Sequence, residues 1–406
     1  MSPSQYSPDP APPWLVERLN LAGGWVPFST YMDWALHDPQ YGAYGSGRLQ
    51  VGPRGDFATS PSLGSDFAEL LLPQVLQWLD QHPQDQPLAL VETGPGEGQL
   101  ALQLSTGIAR SRPDLCSRLE LVLVEPNPGM AERQQVLLEA SPLRCRWSSF
   151  EQLATDPVCG VMLAHEVLDA LPVARISWDG STWSLEGVAL RTDGGLELEA
   201  RQPLPAALGM LLEHLDLQQR AAQWPPGSST ELHPGLEPWL LQAARSLHSG
   251  HLLVVDYAHE AWRYYAPQRS QGTLMAYREQ QASSNPLQDP GHWDLTAHLC
   301  LESLEAAATA AGWQHLGQRR QGEALLALGL AQRLHALQAE STTELSELLA
   351  RREALLRLVD PNTLGDFRWI AFRRPVVAGP LPPPLFLEIR ADVRGDQVLA
   401  ALKRCR

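Results

Sequence analysis

The chain is poor in several features that would settle its chemistry at once. Only five of its 406 residues are cysteine, Cys116, Cys145, Cys159, Cys300 and Cys405, and no two of them form a CxxC pair. That scatter argues against a disulfide framework or a zinc site and points to a reducing, cytoplasmic home. The 12 histidines include no HExxH pair, so no metal site is expected. Positive charge is in deficit: 31 Lys and Arg face 46 Asp and Glu, a formal net charge of −15 at pH 7, which argues against general nucleic-acid binding. No apolar run approaches the roughly 18 residues a membrane span needs. The opening stretch, "MSPSQYSPDPAPPW", lacks basic residues, an apolar core and amphipathic patterning. It reads as a disordered leader over residues 1–13, neither secretory signal nor transit peptide. What is plentiful is apolar content: 44% of residues are hydrophobic and 19% charged, a globular balance.

Apolar strand-like runs alternate with helical patterns from residue 86 onward. Runs at 88–93, 119–125, 143–147, 159–165 and 250–256 are interleaved with helical patterns at 98–110, 128–140 and 234–248, and "FRWIAFRR" at 367–374 reads as a last strand. This alternation predicts an α/β, doubly wound, mostly parallel sheet. Residues 301–312 and 321–357 read as helical. Between 173 and 200, apolar and polar residues alternate around Asp179-Gly180 and Asp193-Gly194-Gly195, which predicts an antiparallel meander inside an insertion spanning about 173–232. An N-terminal helical cap with a long polar glycine-rich loop fills 14–85. The core runs from 86 to 374, and a proline-containing tail, expected to pack loosely, occupies 375–406.

The most informative segment is "LALVETGPGEGQLALQL", residues 88–104. A strand ends at Gly94-Pro95-Gly96-Glu97-Gly98, and a helix follows. This is GxGxG, neither the GxGxxG of dinucleotide enzymes nor a P-loop, because no lysine follows to hold phosphate. A tight GxGxG turn suits S-adenosylmethionine (SAM), whose amino-acid half would pass close to the glycine backbone. Glu125 closes the next strand and is placed to take two ribose hydroxyls, a feature shared with NAD enzymes. Glu92 is a candidate for the cofactor's ammonium group or a simple cap of the turn. Asp56, Thr59 and Ser60 lie in the long loop as candidate lid residues over the cofactor. His165, Glu166 and Asp169, where strand 159–165 ends, are the candidate acceptor-side residues. Carboxylates there could grip a cationic acceptor and aim it at a methyl group.

Further segments carry a resemblance. "YMDWALHDPQYGAYGSG…VGPRGDFATSPSLGSDFAELL" at 31–72, "AHEVLDALPV" at 164–173, "LLVVDYAHE" at 252–260, "QGTLMAYREQ" at 271–280 and "DPGHWDLTAH" at 289–298 resemble, in order, the motifs of the MidA-like methyltransferases. These are bacterial relatives of a mitochondrial complex I assembly factor that methylates arginine. The resemblance spans about residues 26–374. It implies a class I, Rossmann-like methyltransferase fold with a seven-stranded sheet whose last strand is antiparallel. It also implies SAM as cofactor and a protein arginine as acceptor, with a respiratory-complex-type subunit as the model substrate and a homodimer as an open expectation. The chain departs from the family pattern at Glu97 (usually Arg), His165 (Asn), Ala258 (Gly), Gln280 (His) and Leu299-Cys300-Leu301 (Val-Asp-Phe). These departures leave an alternative open, a catalytically weak or inactive assembly or scaffold protein on the same fold.

Overall fold

The computed structural model describes residues 10–52, 55–201, 203–339, 344–375 and 382–388. Its centre is a seven-stranded sheet. In chain order the strands are β1 (Leu88–Thr93), β2 (Leu119–Val124), β3 (Arg144–Ser148), β4 (Val158–His165), β5 (Leu247–Asp256), β6 (Gln314–Arg320) and β7 (Arg368–Arg374). Across the sheet they run β6-β7-β5-β4-β1-β2-β3. The five strands from β5 to β3 pair in parallel. β7 lies antiparallel between β5 and β6.

β1 is buried at all six positions, as a strand covered on both faces must be. Helices Asp66–Leu79, Gln99–Ser111 and Gln321–Ala327 pack one face through Phe67, Leu71, Leu104, Ile108 and Leu325. Helices Phe150–Thr155, Leu236–Ser246 and Leu301–Ala310 cover the other through Leu153, Leu240 and Leu304. Every parallel strand therefore delivers its carboxyl end to one edge of a rigid, double-sided core.

A second sheet, of five strands, joins Trp25–Pro27, Ala174–Trp178, Trp183–Leu190, Leu196–Arg201 and Ser228–Leu232 by antiparallel pairings. Helices Pro13–Leu21 and Phe28–His37 seal it with Leu15, Leu19, Phe28 and Met32 against Val188 and Leu196. A small three-stranded sheet joins Met275–Arg278, Gln281–Ser283 and Asp294–Thr296.

Three elements differ from the sequence expectation. The edge strand β6 was not anticipated, because "QHLGQRR" has no apolar alternation and none of its residues is fully buried. The helical stretch 321–357 is broken into Gln321–Ala327, Leu330–Ala339 and Leu345–Arg357. The tail does not only pack loosely: Phe386 is fully buried, with its ring 5.6 Å from that of Trp369. The remainder of the tail, 376–381 and 389–406, lies outside the described residues, as does the leader up to residue 9. Ala11, within the expected leader, donates its backbone N–H to the Gly194 carbonyl at 2.8 Å.

Candidate functional site

At the carboxyl edge of the sheet, between the ends of β1, β2, β3 and β4 and the loop after helix Phe28–His37, lies a cleft of about 530 Å³. Its floor is the glycine turn. Gly94, Gly96 and Gly98 have φ of +58°, +54° and +83°, the left-handed region where a side chain is strained. A Cβ at Gly94 would stand 2.9 Å from Val167 Cγ2, whereas one at Gly96 meets protein only at 3.8 Å, on Val51. The space above Gly96 is thus open cleft. Gly98 ends the turn as N-cap of helix Gln99–Ser111 and does not itself line the cleft.

Glu92 is 4% exposed, lines the cleft, and has one carboxylate oxygen, Oε2, without a hydrogen-bond partner. Burial pushes its pKa up to about 8, and only a hydrogen bond from the Ala101 backbone pulls the other way. An unpaired buried carboxyl of this kind fits a cationic ligand group. Glu125 accepts from the Asn127 backbone N–H at 2.8 Å and from Gln134 Nε2 at 2.9 Å. These bonds hold the carboxylate facing the cleft, and burial raises its pKa against their effect. Met130 and Phe150 add apolar wall beyond Glu125. They escaped the sequence reading, although both follow strand ends, where ligands of doubly wound sheets sit.

The long loop reaches over the cleft with Tyr44, Val51, Phe57 and Thr59. Asn127 Nδ2 donates to the carbonyls of Tyr44 and Gly45, and Arg133 Nη1 to that of Gly47 at 3.3 Å. Two expected lid contacts are corrected here. The Asp56 carboxylate accepts from the backbone N–H groups of Gln50 (2.9 Å) and Glu279 (3.1 Å), so it fastens the loop to the 275–283 hairpin instead of facing the cleft. Ser60 is fully buried, and its hydroxyl pairs with the Gln321 side chain at 3.1 Å. Thr59 does line the cleft.

Past β4 the backbone turns sharply. Glu166 has φ +54°, unusual for a residue with a side chain, and such strain clusters at functional sites. The turn is over-determined: Glu166 N–H donates to the Val255 carbonyl at 2.9 Å, and the fully buried Asp256 accepts from the N–H groups of Leu168 (3.0 Å), Asp169 (3.3 Å) and Tyr257 (2.8 Å). His165 and Glu166 both face the cleft, with Nδ1 and Oε1 3.5 Å apart and no hydrogen bond between them. Burial lowers the His165 pKa to about 3, so its imidazole is neutral. Burial first, then the charges of Asp169, Asp256 and Asp294, pushes Glu166 well above the carboxylate range. Asp169 is corrected from a cleft residue to a turn residue: it does not line the cleft, and its carboxyl is held by its own and the Ala170 backbone N–H groups. Burial still raises its pKa to about 7.

Two family departures are absorbed locally. Glu97 pairs with Arg133 at 3.0 Å, and Gln280 Nε2 donates to the Gly55 carbonyl at 2.8 Å, tying the loop down.

A seven-stranded α/β sheet with a glycine turn, an acidic residue closing the next strand and an open cleft above both defines a nucleoside-cofactor methyltransferase class. The chain belongs to the family described as "Putative S-adenosyl-L-methionine-dependent methyltransferase", whose model matches residues 70–319. SAM is thus the cofactor of its family. A Burkholderia thailandensis structure with S-adenosyl-homocysteine bound is 28% identical, covers 94% of this chain and 95% of its own, and superposes with a TM-score of 0.80. The chain is also similar to a Drosophila melanogaster protein named mitochondrial protein arginine methyltransferase NDUFAF7 homolog. That protein is 28% identical, over 89% of this chain and 84% of its own. A Xenopus tropicalis relative of the corresponding name is 25% identical over 81% and 77%. These relatives are named as mitochondrial, which overturns the cytoplasmic expectation. Scattered cysteines argue only against a disulfide-forming compartment; they do not select the cytoplasm. Among the described residues no helix is long and apolar enough to cross a membrane.

Proposed function

We propose that the chain transfers a methyl group from SAM to an arginine side chain of a protein. One observation carries the acceptor assignment: Glu166, strained in backbone, buried among other acids and with Oε1 unpaired, faces the cleft next to the cofactor turn. A carboxyl in that setting is stabilised by an incoming cation. The names of the similar proteins, protein arginine methyltransferases, support guanidinium as that cation.

In this reading Glu92 takes the cofactor's ammonium, the Gly94–Gly98 turn gives its amino-acid half close passage, and Glu125 takes the ribose hydroxyls. The bound sulfonium supplies an electrophilic methyl group. Its transfer to the acceptor nitrogen is an in-line displacement, in which the S–CH3 bond breaks to leave a neutral thioether, the N–CH3 bond forms and the nitrogen's proton passes to solvent, and it depends on approach and aim more than on strong acid or base. Glu166 aims the guanidinium, whose lone pairs are delocalised, by accepting its N–H groups. The neutral His165 beside it adds no positive charge to repel the acceptor. Burial and the neighbouring acids disfavour the Glu166 carboxylate until a cation pairs with it.

The test is transfer of tritiated SAM into a lysate of the protein's own cell, with mass spectrometry for methylarginine. Glu166→Gln keeps shape and loses charge. It should leave SAM affinity near that of the parent and lower transfer on the order of a hundredfold. Normal transfer by the variant removes Glu166 from the mechanism. A parent that binds SAM and methylates nothing leaves the assembly or scaffold reading standing.

A further inference from the structure

Beyond the cleft, the same edge of the sheet changes sign. Strand register fixes the order there. His165 at the end of β4 lies beside Val255 of β5, Asp256 closes β5 beside Arg368 at the start of β7, and Arg368 lies beside Arg320 at the end of β6. At about 4.8 Å per strand, Arg320 stands roughly 14 Å from the corner where His165 and Glu166 face the cleft. Arg320 and Arg263, both partly exposed, share one acid, Asp366, at 3.3 and 3.5 Å. Arg368 is buried and pairs with Glu260 at 2.5 Å. The side chain of Arg269, partly exposed, makes no hydrogen bond or ion pair among the described residues. Burial first, then the charge of Arg263, lowers its pKa. Burial, followed by the charges of Arg269 and Arg263, also lowers the pKa of the nearby His298 to about 4. Against these four arginines stand three acids, Glu260, Asp366 and Glu302, the last accepting from the Ala261 backbone N–H at 2.7 Å. Next to Arg263 on the one-turn helix Ala261–Tyr264, Trp262 is 67% exposed.

A chain of net charge −15 repels an acidic partner over most of its surface, so a place where arginines outnumber acids is where such a partner can settle. An exposed tryptophan beside partly exposed arginines is also the composition that carries most of the affinity in protein interfaces. A small anion would need only the charge; the indole adds apolar area that a polypeptide can cover. We propose that Trp262, Arg263, Arg269 and Arg320 form a docking surface for an acidic segment of the acceptor protein. The inference rests on the methyl-transfer reading above. In it the acceptor lays its acidic stretch on the arginines and its target arginine at Glu166, a span of about four extended residues.

A fluorescein-labelled hexaglutamate peptide is the probe, with a decathymidine oligonucleotide as its comparator. Anisotropy should show the parent binding hexaglutamate at low salt and releasing it as salt rises. Arg269→Glu, which breaks no ion pair among the described residues, and Trp262→Ala, at an exposed position, should each weaken that binding on the order of tenfold, with melting temperatures near that of the parent. Arg110→Glu makes the same charge change at the far end of helix Gln99–Ser111, where the side chain is 67% exposed, and should bind as the parent does. In tritium transfer from SAM into a titrated lysate, Arg269→Glu and Trp262→Ala should raise the half-saturating lysate concentration, with little change in maximal rate or in SAM affinity by calorimetry. Hexaglutamate should inhibit the parent more than either variant. With an active parent, four results each overturn the docking surface and leave the methyltransferase reading intact: no binding of hexaglutamate, an equal loss in Arg110→Glu, tighter binding of the oligonucleotide than of the peptide, or unchanged half-saturation in both variants. A parent that transfers nothing overturns both.

Discussion

Glu92 offers the sharpest prediction, because the same burial that suits it to a cationic ligand must weaken the free protein. Burial pushes its pKa in the folded protein up to about 8, against the ordinary 4.5 of a free glutamate. Below pH 4.5 the group is protonated whether the chain is folded or not. Between 4.5 and 8 only the folded state keeps the proton, so stability falls as pH rises, by about 1.4 kcal/mol per unit. By pH 7 the loss is about 3 kcal/mol. Glu92→Gln does not titrate, so its stability relative to the parent should climb by about 2.7 kcal/mol from pH 5 to pH 7. With an unfolding entropy of about 2.1 cal/mol/K per residue, a chain this long shifts its melting temperature by about 1 °C per kcal/mol. The variant-minus-parent difference should therefore grow by about 3 °C across that range. A fixed penalty for the new amide, about 1–3 kcal/mol if its N–H groups stay unpaired, moves the offset and not the slope. In parallel the variant should bind SAM more weakly by about 1.5–3 kcal/mol, the range for a hydrogen bond to a charged group. Scanning calorimetry at pH 5, 6 and 7, with titration of SAM at pH 7, measures both. A melting difference that does not change with pH would refute the claim that Glu92 is buried and protonated. Unchanged SAM affinity would take it out of the cofactor site.

Glu125→Ala should weaken SAM by about 1.5–3 kcal/mol, and equal affinity in calorimetry would make the residue only an anchor for Asn127 and Gln134. Gly94→Ala forces a Cβ to 2.9 Å from Val167 at a left-handed φ and should cost about 1–3 kcal/mol of stability together with SAM binding. Gly96→Ala meets no close protein atom, so a loss of SAM affinity there with a smaller fall in melting temperature would locate the ligand above the turn. Phe386→Ala should destabilise by about 3–5 kcal/mol, lowering the melting temperature by about 4 °C; no change would mean that the tail contributes nothing to the core.

The parallel core strands were legible because each is an apolar run ended by a turn signal. "LALVET" is read at 88–93 and forms Leu88–Thr93. The glycine turn was legible for the same reason, since left-handed backbone leaves a mark in composition. Glu92 and Glu125 followed from their places at strand ends, and both face the cleft. The loop residues fared less well. Asp56, Ser60 and Thr59 are sequence neighbours in one polar segment, yet Thr59 lines the cleft, Asp56 binds backbone N–H groups and Ser60 meets Gln321. Nothing in a coil segment has a period that tells which way a side chain points.

Local chemistry, then, is what the sequence determined: where strands and turns fall, which glycines must be glycine, and which acids stand at strand ends. Only tertiary structure decided what those acids do. Asp256 became the cap of the turn after β4 and Asp169 a buried neighbour of Glu166, while Asp294 came to lie beside Tyr44 from the far end of the chain. The edge strand β6 belongs to the same class, a polar segment that is a strand only because β7 offers it a row of backbone partners. Charge repulsion, hydrogen-bond partnership and burial are properties of atoms brought together across the fold. Their sign cannot be read from a residue's own neighbours in sequence alone, because partners such as Asp256, 88 residues from Leu168, are brought in by the fold, beyond the reach of any local pattern.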